Sequence, residues 1–282
     1  MIRKYLVYIA YLGVFNYKKR SNGEYFLKYD NWFTIEKIDN DTFVISEYMH
    51  WEQTHCYLLL GSKKAVLIDT GLGVSNIRNV VRHITNLPIV VLTTHVHWDH
   101  IGGHKYFNEI AVHEKEVSWL SEEFPLPLRK IKEILTSGIC DFPREFSIDS
   151  YQIFQGHVEK VLHDGDIVDI GNRVIKAIHT PGHSPGHCCF YEENRSYLYS
   201  GDLIYRGCLD AYYPTTDPYL FGSSVKKIRL LKVKRILPAH YDLNIPLSMI
   251  SRIENAFDKL YKSGLLKHGS GIFSFEDFKI HI

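Results

Sequence analysis

Residues 89–100 read Ile89-Val90-Val91-Leu92-Thr93-Thr94-His95-Val96-His97-Trp98-Asp99-His100. Pro88 opens the segment, Ile89 to Leu92 is a β-branched run of the kind that forms a buried strand, and the polar side chains follow where that strand gives out into a loop. His95 and His97 are two apart and can point to one side. Asp99 and His100 are adjacent, diverge, and can serve a second point a few ångströms away. Imidazole nitrogen and carboxylate oxygen suit Zn²⁺ or a similar borderline ion, and two such ions about 3.5–4 Å apart can share an activated water. The spacing therefore predicts a two-metal site at the end of a sheet strand.

Working outward from this segment, three further runs place a metal-competent residue after a strand-like stretch: Thr180-Pro181-Gly182-His183, Ser200-Gly201-Asp202 and Pro238-Ala239-His240. Upstream, alternation predicts strands over Phe33 to Ile38, Thr42 to Tyr48, His55 to Leu60 and Ala65 to Asp69, the last closing on Thr70-Gly71-Leu72-Gly73. Ser75 is a candidate cap for a helix over Asn76 to Ile84, whose Ile77, Val80, Val81 and Ile84 recur at helical spacing. A helix from Trp98 to Phe107, a strand over Ile110 to His113 and a helix from Lys115 follow. Residues 122–158 break the rhythm with Pro125, Pro127 and Pro143 and read as an inserted cap holding one helix, Leu128 to Leu135. Strands resume at Lys160 to Leu162, Ile167 to Ile170, Val174 to Ile178, Cys188 to Tyr191, Tyr197 to Tyr199 and Ile236 to Leu237. Helices are predicted over Gly222 to Leu231 and Pro246 to Lys262, with a last strand over Ile272 to Ile280. Strands alternating with helices in both halves give an α/β class with two sheets and helices outside.

Composition removes other classes. At 282 residues, 45% hydrophobic and 23% charged, the chain has an ordinary globular balance and room for one large domain. Thirty-three basic against 32 acidic residues leave a formal charge of +1, so no overall field recommends nucleic acid as a partner. Five cysteines, with Cys188 and Cys189 adjacent in an apolar run, do not form a disulfide framework and point to reduced thiols in a cytoplasm. The apolar-aromatic run Tyr5 to Tyr17, flanked by basic residues, is too short to span a bilayer at about 1.5 Å per residue. Residues 1–30 are therefore expected as a leader segment, packed on the domain or on a homodimer partner, with peripheral membrane contact as the alternative localisation. Residues 31–282 are expected as the catalytic domain.

The four elements in this order resemble the metallo-β-lactamase superfamily, and the likeness extends over roughly residues 40–245. It implies a four-layer αββα sandwich with the cap inserted, and a hydrolase. Carried over position by position, it implies His95, His97 and His183 on one metal, Asp99, His100 and His240 on the other, and Asp202 bridging both. Two zinc ions are the implied cofactors, with manganese or iron accepting the same donors. Asp69-Thr70-Gly71 matches the family's turn, where the carboxylate supports a ligand and is not one. Asp99 is then the group that takes and passes a proton, and Tyr205, three residues after Asp202, is an oxyanion donor.

Gly201-Asp202-Leu203-Ile204-Tyr205 resembles two groups within the superfamily, the acyl-homoserine lactonases and the animal acyl-CoA thioesterases with this domain. The second likeness runs further, through Ile68 to Gly73, His95 to Gly103, Gly201 to Leu209 and Leu237 to His240. It implies an acyl thioester such as acyl-CoA as substrate, with an acyl-homoserine lactone or other lactone or ester as the alternative. β-Lactam hydrolysis and a non-hydrolytic iron oxidoreductase rank lower. The aromatic segment Tyr205 to Phe221 and the 122–158 insert are candidates to wall an apolar groove, and Lys226, Lys227, Arg229, Lys232, Lys234 and Arg235 to meet coenzyme A phosphates. His187 enters a buried strand and Cys208 has no base in view, so neither is expected to act.

Overall fold

The computed structural model describes residues 16–19, 25–28 and 32–282, so nearly all of the Tyr5 to Tyr17 run lies outside the described residues. The first sheet takes its strands in chain order: β1 (Asn16–Lys19), β2 (Tyr25–Lys28), β3 (Thr34–Asp39), β4 (Thr42–Ser46), β5 (His55–Leu60), β6 (Ala65–Ile68), β7 (Ile89–Leu92), β8 (Glu109–His113) and β9 (Lys160–Leu162). Neighbours from β1 to β6 are antiparallel, and those from β6 to β9 are parallel. Parallel neighbours need crossovers. These carry α1 (Ile77–Ile84), α2 (Trp98–Ile101), α3 (Val117–Ser121) and α4 (Leu128–Leu135). The second sheet runs β10 (Ile167–Asp169), β11 (Val174–His179), β12 (Cys188–Glu192), β13 (Tyr197–Gly201) and then β15 (Arg235–Pro238), parallel to β13. Between these last two lie β14 (Cys208–Asp210) and α5 (Pro218–Arg229), and after β15 come α6 (Ser248–Lys262), β16 (Ile272–Ser274) and β17 (Lys279–His281). A third, small sheet joins β14, β17 and β16.

The pleat sorts side chains into three cores. Tyr57, Leu59, Val66, Ile68, Val90 and Leu92 of the first sheet pack with Ile175, Ala177, Cys188, Phe190, Tyr199 and Leu237 of the second. Their strand neighbours Cys56, Leu58, Ala65, Leu67 and Val91 point the other way, onto α1 and its Ile77, Val80 and Val81. Cys189, Tyr191, Leu198 and Ile236 likewise turn outward onto Phe221, Val225 and Ile228 of α5 and Met249, Ile253 and Phe257 of α6. A residue period of two on strands flanked by amphipathic helices produces this helix–sheet–sheet–helix order. Each fully buried Leu, Ile, Val or Phe adds about 1.5–3 kcal/mol relative to exposure.

Several local expectations are corrected. The helix expected over Trp98 to Phe107 is α2 plus a separate 3₁₀ turn at His104–Tyr106. Gly102 and Gly103 interrupt it, and Gly102 lies so close to Leu72 and Gly73 that a Cβ there would collide with their backbone. The cap of α1 is Asn76, not Ser75: its side chain accepts from the Arg78 N–H at 3.0 Å. From Lys115 the chain makes a 3₁₀ turn at Glu114–Glu116 before α3. Helix α5 starts earlier than expected, where Asp217 caps the N–H groups of Tyr219 and Leu220 with Pro218 at its first turn. The last strand is a hairpin, with its turn held by Asp277 against Arg252 and Arg206. Residues 122–158 connect β8 to β9, and Phe124, Ile131, Leu135 and Tyr151 bury in the α1-side core.

Candidate metal centre

Strand register brings the candidate residues together. Pairing of Ile68 with Leu92 in parallel β6 and β7 sets Asp69 beside the Thr93–His100 loop, and the Asp69 N–H donates to the Leu92 carbonyl at 3.0 Å. Pairing of Gly201 with Pro238 in β13 and β15 sets Asp202 beside Ala239 and His240. Strands β11, β13 and β15 run the same way, so His183, Asp202 and His240 leave the second sheet at one end. That end is tied to the first sheet by backbone bonds from Cys188 N–H to the Thr94 carbonyl and from His55 N–H to the Ala239 carbonyl, both 2.7 Å.

All seven expected side chains converge. One nitrogen each of His95, His97 and His183 lie within 4.8 Å of one another, and a ligand atom each of Asp99, His100 and His240 do the same. Asp202 faces both groups. Its Oδ2 is 3.4 Å from His183 Nε2 and 4.0 Å from His95 Nε2, while its Oδ1 is 3.3 Å from His100 Nε2 and 3.2 Å from His240 Nε2. Asp99 Oδ2 lies 3.5 Å from both His100 Nε2 and His240 Nε2.

The outer ring nitrogens settle which atoms carry lone pairs. His183 Nδ1 meets the Asp210 carbonyl at 3.0 Å and His240 Nδ1 the Glu52 carbonyl at 2.9 Å, and a carbonyl can only accept. His100 Nδ1 donates to Asp69 Oδ2 at 2.9 Å. The hydroxyl of Thr94 donates to the same Asp69 oxygen at 2.7 Å, which leaves its own oxygen to accept from His95 Nδ1 at 3.0 Å. In the neutral rings the inward Nε2 atoms of His95, His100, His183 and His240 are therefore acceptors. His100 and His240 turn two of them toward each other at 3.4 Å, and His183 Nε2 faces His97 Nδ1 at 3.0 Å. Acceptors facing acceptors, with His95 Nε2 and Asp202 Oδ1 buried and lacking a hydrogen-bond partner, fit divalent cations at both groups.

Without a cation, the carboxylates around the centre favour positive charge on two of these rings, as protons that a metal would displace. Burial disfavours charge on every imidazole here, yet around His100 the carboxylates of Asp202, Asp99 and Asp69 outweigh it and hold that ring well above its usual pKa. Around His240 burial is outweighed by Asp202, Glu52 and Asp99, which lift it to about 9. His95 and His97, desolvated and beside other imidazoles, are driven well below the usual value. Burial of Asp202 is more than offset by His240, His100 and His183, so its carboxyl stays ionised.

The remaining candidates fall as follows. Asp69, in a left-handed conformation at φ 58°, supports His100 and accepts from the Thr94 N–H at 2.8 Å, and it belongs to neither ligand group. His187 has both nitrogens engaged, one with the Thr180 hydroxyl at 2.9 Å and the other accepting from the Asp202 N–H at 3.1 Å. The Tyr205 ring lies 5.5 Å from that of His240, and its hydroxyl donates to the Cys208 carbonyl. Of the basic cluster, Lys226, Lys227 and Arg229 pair with Asp258, Asp164 and Glu254. A cavity of about 180 Å³ opens beside His97 and Trp98, walled by Phe124, Leu126 and Ile134 of the insert and by Tyr213 and Pro214.

Two carboxylates were not singled out from sequence. Fully buried Glu116 accepts from the Val96 N–H at 2.6 Å with one oxygen, and with the other from the Gly186 N–H at 2.8 Å and the Ser184 hydroxyl, thereby joining the two loops that carry His95, His97 and His183. Glu47, pushed up to about 7 by burial, accepts from Trp32, Thr54 and the Leu72 N–H. Glu116 sits in a Glu-Lys-Glu turn, and no periodicity distinguishes such a residue from a solvated one.

Comparison with known proteins places this geometry. The model of the metallo-beta-lactamase superfamily matches residues 50–240. Human acyl-coenzyme A thioesterase MBLAC2 is 28% identical over 242 residues, 75% of this chain and 82% of the human protein. A metallo-beta-lactamase from Pontibacter korlensis superposes with a TM-score of 0.58 at 18% identity, covering 80% of this chain and 99% of its own. An archaeal superfamily protein from Sulfolobus tokodaii gives 0.57 at 21% identity, covering 77% and 86%. The family match begins at His50 and ends on His240, so it encloses every one of the convergent residues, and the chain belongs to the metallo-beta-lactamase superfamily.

Proposed function

We propose that the protein is a two-metal hydrolase of acyl thioesters of the acyl-CoA type, with zinc as the loaded ion. The observation that carries the reading is the single Asp202 carboxylate presenting one oxygen to each of two groups of inward-facing acceptors, next to an apolar cavity. His95, His97 and His183 would hold one ion, Asp99, His100 and His240 the other, with Asp202 between them. When bound, such ions supply a hydroxide nucleophile near neutral pH and polarise the carbonyl that it attacks.

The chain's own groups do the rest. Asp99, buried beside His100 and His240, would receive the nucleophile's proton and hand it to the leaving group; a thiolate leaving group needs that help less than an amine. His97 and Trp98 form the seam between the ligand groups and the cavity, so an acyl chain lying against Phe124, Leu126 and Tyr213 would bring its carbonyl to the centre. A cavity of about 180 Å³ is smaller than the usual ligand pocket, which favours a modest acyl group. Tyr205 would serve the developing oxyanion by turning its hydroxyl from the Cys208 carbonyl. The likeness to human acyl-coenzyme A thioesterase MBLAC2 supports the choice of thioester. Unpaired cysteines support a reducing compartment, and among the described residues no helix is long and apolar enough to cross a membrane.

The test is elemental analysis coupled to rates on an acyl-CoA chain-length series, an acyl-homoserine lactone and nitrocefin. At least two zinc per chain with release of free coenzyme A is the expected result. Lactone turnover without thioester turnover overturns the substrate class, and a single iron overturns the chemistry.

A further inference from the structure

Strand β14, absent from the sequence expectations, runs parallel to β17 with Cys208 opposite Lys279, Leu209 opposite Ile280 and Asp210 opposite His281. Leu209 and Ile280 are buried in the α6-side core. Alternation then puts Cys208, Asp210 and His281 together on the other, half-buried face. One ligand atom from each, a thiol sulfur, a carboxylate oxygen and an imidazole nitrogen, lie within 4.8 Å of one another, with His281 Nδ1 3.5 Å from Asp210 Oδ1. The His281 ring is held by stacking on Tyr212, centroids 3.6 Å apart and planes 17° from parallel. None of these side chains belongs to the seven of the main centre.

We infer that Cys208, Asp210 and His281 form a third cation site, for a thiophilic divalent ion of the zinc class. Zinc–sulfur bonds of about 2.3 Å and zinc–nitrogen bonds of about 2.0–2.1 Å bring tetrahedral donors a little closer than this span, an approach that side chains at the end of a short strand can make. Sulfur with imidazole selects zinc or cobalt over magnesium and calcium, which take oxygen ligands. Binding replaces the thiol proton by the metal and releases that proton to water, with no change of oxidation state. Three protein donors leave a fourth position for water. The site also bears on the main centre, because the Asp210 carbonyl accepts from His183 Nδ1 at 3.0 Å.

The test is a cobalt(II) titration of the full chain after chelator stripping, under reducing conditions, reading both stoichiometry and the near-ultraviolet thiolate-to-cobalt charge-transfer absorption. The seven residues of the main centre contain no sulfur, and among the described residues the only candidate metal group that includes a cysteine is that of Cys208, so that absorption reports on it. Wild type is expected to show it, and Cys208→Ser and His281→Gln are each expected to hold one cobalt fewer and to lose or strongly reduce it. Should Cys208→Ser fail to fold, His281→Gln reads the same two quantities. Absence of the band in wild type at saturation, its persistence in Cys208→Ser, or equal stoichiometry in wild type and a folded variant overturns the inference. Neither readout depends on turnover, so failure of the thioester reading and failure of this site are told apart.

Discussion

Asp202 meets four imidazoles with two oxygens, and its backbone N–H is itself fixed by His187, so the spacing of the two ligand groups is set by one carboxylate held from both sides. The residues around it divide into those that would touch metal and those that orient them, and substitution should separate the two kinds. His97→Ala and Asp99→Ala are expected to leave a folded protein with turnover lowered beyond detection, checked by circular dichroism and initial rates; near wild-type rates in either would remove that residue from the mechanism. Tyr205→Phe is expected to slow the chemical step with metal content unchanged. Glu116 orients without touching: its oxygens accept three bonds from two loops, and an amide can supply only one acceptor oxygen. Glu116→Gln should therefore weaken zinc binding about 10–100-fold, the range found when groups supporting ligands are lost, as read by competition with a chromophoric chelator. An unchanged affinity would make Glu116 a packing residue only.

At the scale of elements, Gly102 and Gly103 end α2 after one turn and let the chain close over Leu72, which leaves His104 between Thr70 and Thr93, its nitrogens 2.7 and 2.8 Å from their hydroxyls. Burial depresses this imidazole from an ordinary 6.5 to about 3, so the folded chain keeps it neutral while the unfolded chain protonates it below pH 6.5. Its contribution is complete above that pH and falls away as pH drops toward 3. Between pH 7 and 5 the loss is about 2 kcal/mol from this group. Urea unfolding of His104→Gln should show a decline over that interval shallower than wild type by about this amount, and identical declines would refute the assignment. The same stretch shows what was legible in the sequence. Period-two runs such as His55 to Leu60 and the histidine-rich strand ends announce their structure locally, because burial and convergence follow from spacing alone. The end of α2, Asn76 displacing Ser75 as a cap, and β14 do not. The first and last depend on a partner distant in sequence, Leu72 across a loop for α2 and β17 for β14, and Cys208 to Asp210 has no pattern of its own until β17 pairs with it; the cap is local, but adjacent Ser75 and Asn76 are both capping residues.

In the whole molecule, the two sheets are fastened at both ends. At one end residues from both converge on Asp202. At the other, fully buried Arg173 gives two bonds to Glu192, at 2.9 and 2.7 Å, and one to the Asp41 carbonyl of the β3–β4 turn at 2.7 Å, crossing from the second sheet to the first. The length of β11 between Arg173 and His179 separates these fastenings by about 20 Å at about 3.3 Å per residue. Arg173→Met leaves buried Glu192 with only its partner Arg195, 3.0 Å from one oxygen, and should lower the free energy of unfolding by about 1–3 kcal/mol. Chelation acts at the opposite end. Ions held at about a thousand times their Kd stabilise by about 4 kcal/mol each, so the apo form should lose at least that much. Groups this far apart with no shared partner should act independently, and the stripped Arg173→Met protein is expected to lose the sum of the two effects within about 0.5 kcal/mol, in one cooperative denaturant transition. Two transitions in the stripped protein would mean that the sheets unfold as separate units once the centre is released. A loss well short of the sum would mean that loosening one end already frees the other.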